Sequence, residues 1–266
     1  MLSMLAAGRT LVMGILNVTP DSFSDGGKFF DPDIAIVHAQ QMIADGADII
    51  DIGAESTRPY GGMKPVTLEE ELKRLEMVLP AAVALGVPVS IDTIKARVAE
   101  WAVQQGAAII NDVWGLQRDP DMAAVVARTG VPLVAMNNRE KADAPDILAH
   151  IHAFFARTLE IADKAGIRRD HIVLDPGIGF GMTPDQSLTV IAHLADFKKY
   201  GQPLLLGASR KRFIDRVIPA PPDKRLGGSL AVALLGAQAG AAILRVHDVA
   251  ETVQALALAA AVKKAR

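Results

Sequence analysis

The chain has 266 residues, half of them hydrophobic and 22% charged. That is room for one large α/β barrel or two smaller domains, with the composition of a globular protein that buries a core. A net charge of −2 argues against electrostatic wrapping of nucleic acid or adhesion to an anionic membrane, and the absence of cysteine excludes disulfides, thiolate metal sites and cysteine nucleophiles.

Met1–Ala7 is mildly apolar but lacks the basic start and long apolar stretch of a secretion signal. No apolar run reaches the roughly 18 residues of a membrane span, so a cytoplasmic protein is expected. Strands are expected at Leu11–Val18, Asp48–Gly53, Val87–Thr93, Ala108–Val113, Pro132–Asn137, His171–Pro176, Pro203–Ser209 and Ala241–Val246. Between them run alanine-rich segments with apolar residues at three- and four-residue spacing, as at Pro32–Ala44, Leu68–Ala84 and Asp146–Lys164, which predict helices. Glycines placed to end helices in the left-handed conformation precede the strands at Gly46, Gly86, Gly106, Gly130, Gly166, Gly201 and Gly240.

The strand segments are nearly continuous in apolar residues, as in a parallel sheet covered on both faces. Eight strand–helix units over about 250 residues close most simply into a (β/α)8 TIM barrel, expected here as a single α/β domain over residues 1–266. A doubly wound open sheet is the alternative, but no dinucleotide-type glycine fingerprint follows the first strand. Polar residues stand at the C-terminal end of every strand: Asn17; Asp51 and Glu55; Asp92; Asn111 and Asp112; Asn137 and Asn138; Asp175; Ser209, Arg210 and Lys211; Arg245, His247 and Asp248. In a barrel these ends converge on one mouth. Helix capping accounts for such residues one at a time, but poorly for all eight ends together. Two long connections rich in Gly and Pro, Thr19–Phe30 and Ser56–Thr67, lie on the same face and are expected to be lids.

Met13–Gly27 (MGILNVTPDSFSDGG) and Asp51–Pro59 (DIGAESTRP) resemble the two signatures of the dihydropteroate synthase family of pterin-binding enzymes. Further motifs follow in order: Ser90–Thr93, Ile110–Val113, Leu174–Gly181, Gly207–Phe213 and Leu244–Val249. The resemblance covers essentially the whole chain. Two positions depart from it. Asn137 and Asn138 follow Met136 where the family usually has a histidine, and Met182 stands where it usually has a lysine.

The resemblance implies condensation of 6-hydroxymethyl-7,8-dihydropterin pyrophosphate with p-aminobenzoate, giving dihydropteroate and pyrophosphate. Asp92, Asn111 and Asp175 would meet the N–H donors of the pterin edge, since carboxylates only accept, and Lys211 would donate to the ring. Met136 and Phe180 would pack its faces, though both suit ordinary barrel core nearly as well. Arg58, Arg245 and His247 would hold the pyrophosphate, and Asn17 would contact a Mg²⁺ cofactor, with Asp21 or Asp25 helping. Phe23, Thr57, Pro59 and Ser209 would build the p-aminobenzoate site. The C–O bond would largely break before the arylamine attacks, so the protein supplies electrostatics and positioning. A homodimer through outer helices is also implied. Leu226–Ala239 and the alanine-rich C-terminus could serve it, or could pack on their own barrel.

Three other readings remain open at this stage. A methyltetrahydrofolate methyltransferase domain would share the pterin pocket but has no use for a cluster of Arg58, Arg245 and His247. A pterin-binding protein without catalysis and a structural barrel are the other two.

Overall fold

The computed structural model describes residues 5, 8–19, 31–55 and 66–265. The strands are β1 (Leu11–Asn17), β2 (Ile49–Gly53), β3 (Val89–Asp92), β4 (Ile109–Asp112), β5 (Leu133–Met136), β6 (Ile172–Asp175), β7 (Leu204–Leu206) and β8 (Ala241–Val246). They pair in sequence order, and β8 pairs in parallel with β1, so the sheet closes into the expected barrel. Seven of the strands are shorter than the sequence suggests, and β8 has the expected bounds. Pro88, Pro132 and Pro203 have no N–H to give a ladder, and each stands just before its strand. Their carbonyls still accept from Ile50, Ile110 and Leu174 across the sheet.

The described helices are α1 (Pro32–Ala44), α2 (Leu68–Glu76), α3 (Leu79–Val83), α4 (Ala96–Gln104), α5 (Met122–Thr129), α6 (Ile147–Ala165), α7 (Pro184–Ala192), α8 (Arg212–Val217), α9 (Leu226–Ala239) and α10 (Val249–Lys264). The segment expected as one helix over Leu68–Ala84 is two. Pro80 in a continuous helix would remove one hydrogen bond and strike the carbonyl four residues back. The chain instead breaks at Met77–Val78 and restarts with Pro80 in the first turn of α3. The seven expected glycines all have positive φ.

Period-two alternation along each strand separates two cores. Leu11, Met13, Ile49, Ile109, Val134, Val173, Leu205 and Ile243 pack together inside the barrel. Ile50, Ile52, Ile91, Ile110, Leu133, Leu174, Leu206 and Leu244 belong to the second cluster, shared with the inner faces of the helices. The closest fit there is at Gly236 of α9, where a Cβ would come within 2.3 Å of a Leu206 methyl. The inner cluster determines what comes next. Two residues beyond its members lie Asp51, Asn111, Met136, Asp175, Gly207 and Arg245, so the same inward phase that fills the barrel with aliphatic groups delivers a polar layer above them.

Candidate active site

Arg245 stands at the centre of this layer. Its Nε donates to Asp51 Oδ2 at 2.6 Å and its Nη2 to Asp92 Oδ2 at 2.9 Å, so strands β2, β3 and β8 are joined across the barrel interior. Asn111 Nδ2 donates to the same Asp51 oxygen at 3.2 Å. Opposite, Asp175 Oδ1 accepts from Gly177 N–H at 2.7 Å. Gly177 has φ +71°, and a Cβ there would fall 1.9 Å from the Asn137 carbonyl oxygen, so this turn requires glycine.

Lys211 arrives from the β7–α8 turn. Its ammonium donates to the Ile178 carbonyl and lies 4.4 Å from the centre of the Phe180 ring. Arg210, between Ser209 and Lys211, has the uncommon φ of +58° for a residue with a side chain. Its N–H donates to Ser229 Oγ at 2.9 Å, its carbonyl accepts from Arg225 at 3.0 Å, and its guanidinium pairs with Asp248. This held strain carries Ser209 and Lys211 into the mouth. Ser209 Oγ meets His247 Nδ1 at 3.1 Å and accepts from its backbone N–H at 3.3 Å. Asn17 closes β1 on the inward phase, in register with Gly53 of β2.

Burial sets the electrostatics. It lifts the Asp92 carboxyl to about 7, with Arg245 pulling it back and Asp51 adding to the rise. Burial likewise lifts Asp175 to about 6, against the Gly177 N–H and Lys211. The same cost acts on a cation in the other sense and brings Lys211 down to about 7, although Asp175 opposes it. Burial also pulls on Arg245, but Asp51 and Asp92 outweigh it and its value is raised. The layer therefore holds carboxyl and ammonium groups poised near neutrality. Asp51 Oδ1, Asp92 Oδ1 and Ser90 Oγ are buried with no hydrogen-bond partner among the described residues.

The structure thus brings Asp92, Asn111, Met136, Asp175 and Arg245 to the inward face of the barrel, with Phe180, Ser209, Lys211, His247 and Asn17 around its mouth. Met136 is 4% exposed directly above Val134, whereas Phe180 is half-buried under the Lys211 ammonium, outside the closed inner cluster. Phe23, Thr57, Arg58 and Pro59, with Asp21 and Asp25, lie outside the described residues. No group of three or more His, Cys, Asp and Glu side chains that could hold a metal occurs among the described residues.

Some polar strand ends do serve local structure. Asp112, on the outward phase, accepts from Trp114 N–H at 2.9 Å and Leu116 N–H at 2.7 Å, and so folds its own turn. At the departures from the family pattern, Asn137 donates to the Pro176 carbonyl at 3.1 Å, Asn138 accepts from Arg139 N–H at 2.7 Å, and Met182 is buried in the outer core. The sequence reading assigned no role to Asp51, whose inward phase on β2 was the available signal. It also missed a buried network beside it. Lys95 joins Glu55 at 2.5 Å and Glu71 at 2.6 Å, Thr93 donates to Glu71 at 2.6 Å, and Glu55 accepts from Val66 N–H at 3.0 Å. Glu55 and Val66 flank residues 56–65, so this carboxylate ties together the two ends of that connection.

The pterin binding enzyme family matches residues 13–247. A dihydropteroate synthase of Bacillus subtilis is 51% identical over 91% of this chain and 84% of its own length. The solved structure of a Clostridium difficile dihydropteroate synthase in the presence of pteroic acid has a TM-score of 0.91 at 46% identity, covering 96% of this chain and 97% of that one. A Xanthomonas albilineans dihydropteroate synthase with 4-aminobenzoic acid also has a TM-score of 0.91, at 43% identity, covering 96% of this chain and 93% of that one.

Proposed function

The chain belongs to the pterin-binding enzyme family as a dihydropteroate synthase, and we propose that its polar layer is where it condenses 6-hydroxymethyl-7,8-dihydropterin pyrophosphate with p-aminobenzoate. The observation that carries this is one inward-facing layer holding Asp92, Asn111, Asp175 and Arg245, with Lys211 at its edge. Asp92 and Asp175 accept from the donor edge of the pterin, and Lys211 donates to its ring carbonyl or nitrogen. Met136 and Phe180 pack its faces.

Arg245 and His247, joined by Arg58, receive the pyrophosphate. The C–O bond breaks with its electron pair leaving on the pyrophosphate oxygen. The lone pair of the arylamine nitrogen then forms the C–N bond, and that nitrogen gives up a proton. The protein's part is to stabilise departing charge and hold the two partners in line. Phe23, Thr57, Pro59 and Ser209 serve the arylamine. The single amide oxygen of Asn17 suits a hard cation that keeps most of its waters, and magnesium bound there would draw charge from the departing pyrophosphate. We place the enzyme in the cytoplasm as a homodimer. In support, no described helix is long and apolar enough to cross a membrane, and α9 and α10 leave Leu235, Leu258 and Val262 outward.

The test follows pyrophosphate and dihydropteroate together, from dihydropterin pyrophosphate with Mg²⁺, with and without p-aminobenzoate. Matched release and product are expected, with Arg245→Ala inactive. Pterin binding without condensation, or near-normal turnover by the variant, would overturn the assignment.

A further inference from the structure

Asp51 is fully buried, 0% exposed, whereas Asp92 at 7% and Asn111 at 3% keep some exposed surface. In register it sits beside Ser90, two residues before Asp92. It therefore acts on a bound molecule only through its neighbours, and one oxygen reaches two of them. Asp51 Oδ2 takes Arg245 Nε at 2.6 Å and Asn111 Nδ2 at 3.2 Å. We propose that Asp51 is the positioning residue for dihydropterin pyrophosphate, fixing the direction of the Arg245 fork toward the pyrophosphate and the orientation of the Asn111 amide toward the pterin ring.

Each half has its own physical reason. A guanidinium donates through a rigid planar fork. With Nε held by Asp51 and Nη2 by Asp92, the plane is set, and the Nη1 end is the one those carboxylates do not take. The Asn111 amide is chemically two-faced, with a donor end and an acceptor end of nearly the same shape. A carboxylate only accepts, so the end facing Asp51 is the nitrogen. That turns Oδ1 away, where it accepts from an N–H of the ligand. Without Asp51 the amide has no reason to prefer this orientation over its flip, which would offer the pterin a donor where it needs an acceptor. Asp51 also balances Arg245, so that Asp92 is not its sole counter-charge and keeps Oδ1 for the substrate.

The inference rests on Arg245 serving the pyrophosphate and Asn111 the pterin ring, so Asn111→Ala and Arg245→Ala are measured beside it. Asp51→Asn keeps shape and one acceptor but removes the charge. It is expected to raise KM for dihydropterin pyrophosphate by about tenfold to a hundredfold, the range for losing a hydrogen bond to a charged group, with KM for p-aminobenzoate within about twofold. In an Asn111→Ala background the same change is expected to cost several-fold less, because half of its action is already gone. Equal changes in both KM values, or full additivity, would overturn the proposal as a merely structural effect.

A second comparison does not need the Asp51 variant to fold. Asn111→Asp puts a carboxylate against Asp51 and is expected to bind pterin more weakly than Asn111→Ala. The reverse order would show that the amide is not held through its nitrogen, and would overturn the proposal. If Asn111→Ala and Arg245→Ala leave the affinity for dihydropterin pyrophosphate unchanged, the site reading falls and this inference with it. If they weaken it and Asp51→Asn does not, this inference alone falls.

Discussion

At the scale of single residues, the same burial moves unlike charges toward one another. Asp175 rises to about 6 and Asp92 to about 7, while Lys211 descends to about 7. As pH rises through 6 and 7 the carboxyls become the acceptors that a pterin edge needs. As it rises through 7, Lys211 loses the charge with which it donates. The affinity of the empty enzyme for 6-hydroxymethyl-7,8-dihydropterin, which carries no titrating phosphate and keeps its ring N–H through this range, is therefore expected to peak near neutrality. Lys211→Gln should abolish the alkaline fall and keep the acid one. Titration by fluorescence between about pH 5 and about pH 9 checks this, and a flat wild-type profile would refute it. The inward residues Asp92, Asn111, Asp175 and Arg245 could be read from strand ends because period two decides which side a residue faces. Their pairing could not be read. Arg245 and Asp51 are far apart in sequence, and only closure of the sheet brings β8 beside β1 and across from β2.

Among the elements, the clearest structural commitment lies between β2, α2 and the turn after β3. Glu71 is 0% exposed, and Lys95 is its cation as well as that of Glu55. Removing one partner leaves a buried charge uncompensated, whereas removing both is far less costly. Because Lys95 keeps some contact with water, Lys95→Met is expected to cost about 2 kcal/mol of unfolding free energy. Adding Glu71→Gln should recover part of that loss in urea titrations. A neutral single variant would show that the network contributes nothing. Element boundaries were legible to the extent that local chemistry sets them. The helix expected from Asp146 begins at Ile147 with the Asp146 side chain accepting from Ala149 N–H. The segment from Leu68 held a warning in Pro80, and the helical spacing of its apolar residues concealed the break.

For the whole molecule, α9 and α10 pack against each other and against the barrel, yet both leave large apolar side chains outside. Leu235 is 56% exposed and Leu258 66%. If a second copy covers them, changing both to glutamate should yield a folded monomer, because neither side chain supports its own barrel core. Sedimentation velocity distinguishes the outcomes, and a wild-type monomer or a variant that stays dimeric would refute this interface. The sequence by itself determined the eight strand–helix units, their parallel arrangement and the strand ends that carry polar groups, with a closed barrel as the simplest of the arrangements it allowed. Those features follow from local rules: near-continuous apolar runs, helical spacing between them and glycine at helix ends. What only the tertiary structure decided is which strand-end residues act together. Asp112 folded its own turn and Asn137 bonded the end of the next strand, while Asp51, a strand-end residue to which the sequence assigned no role, became the partner of both Arg245 and Asn111. The reason is geometric: composition and spacing record which side of a strand a residue occupies, but a hydrogen bond across the barrel exists only once all eight strands have closed.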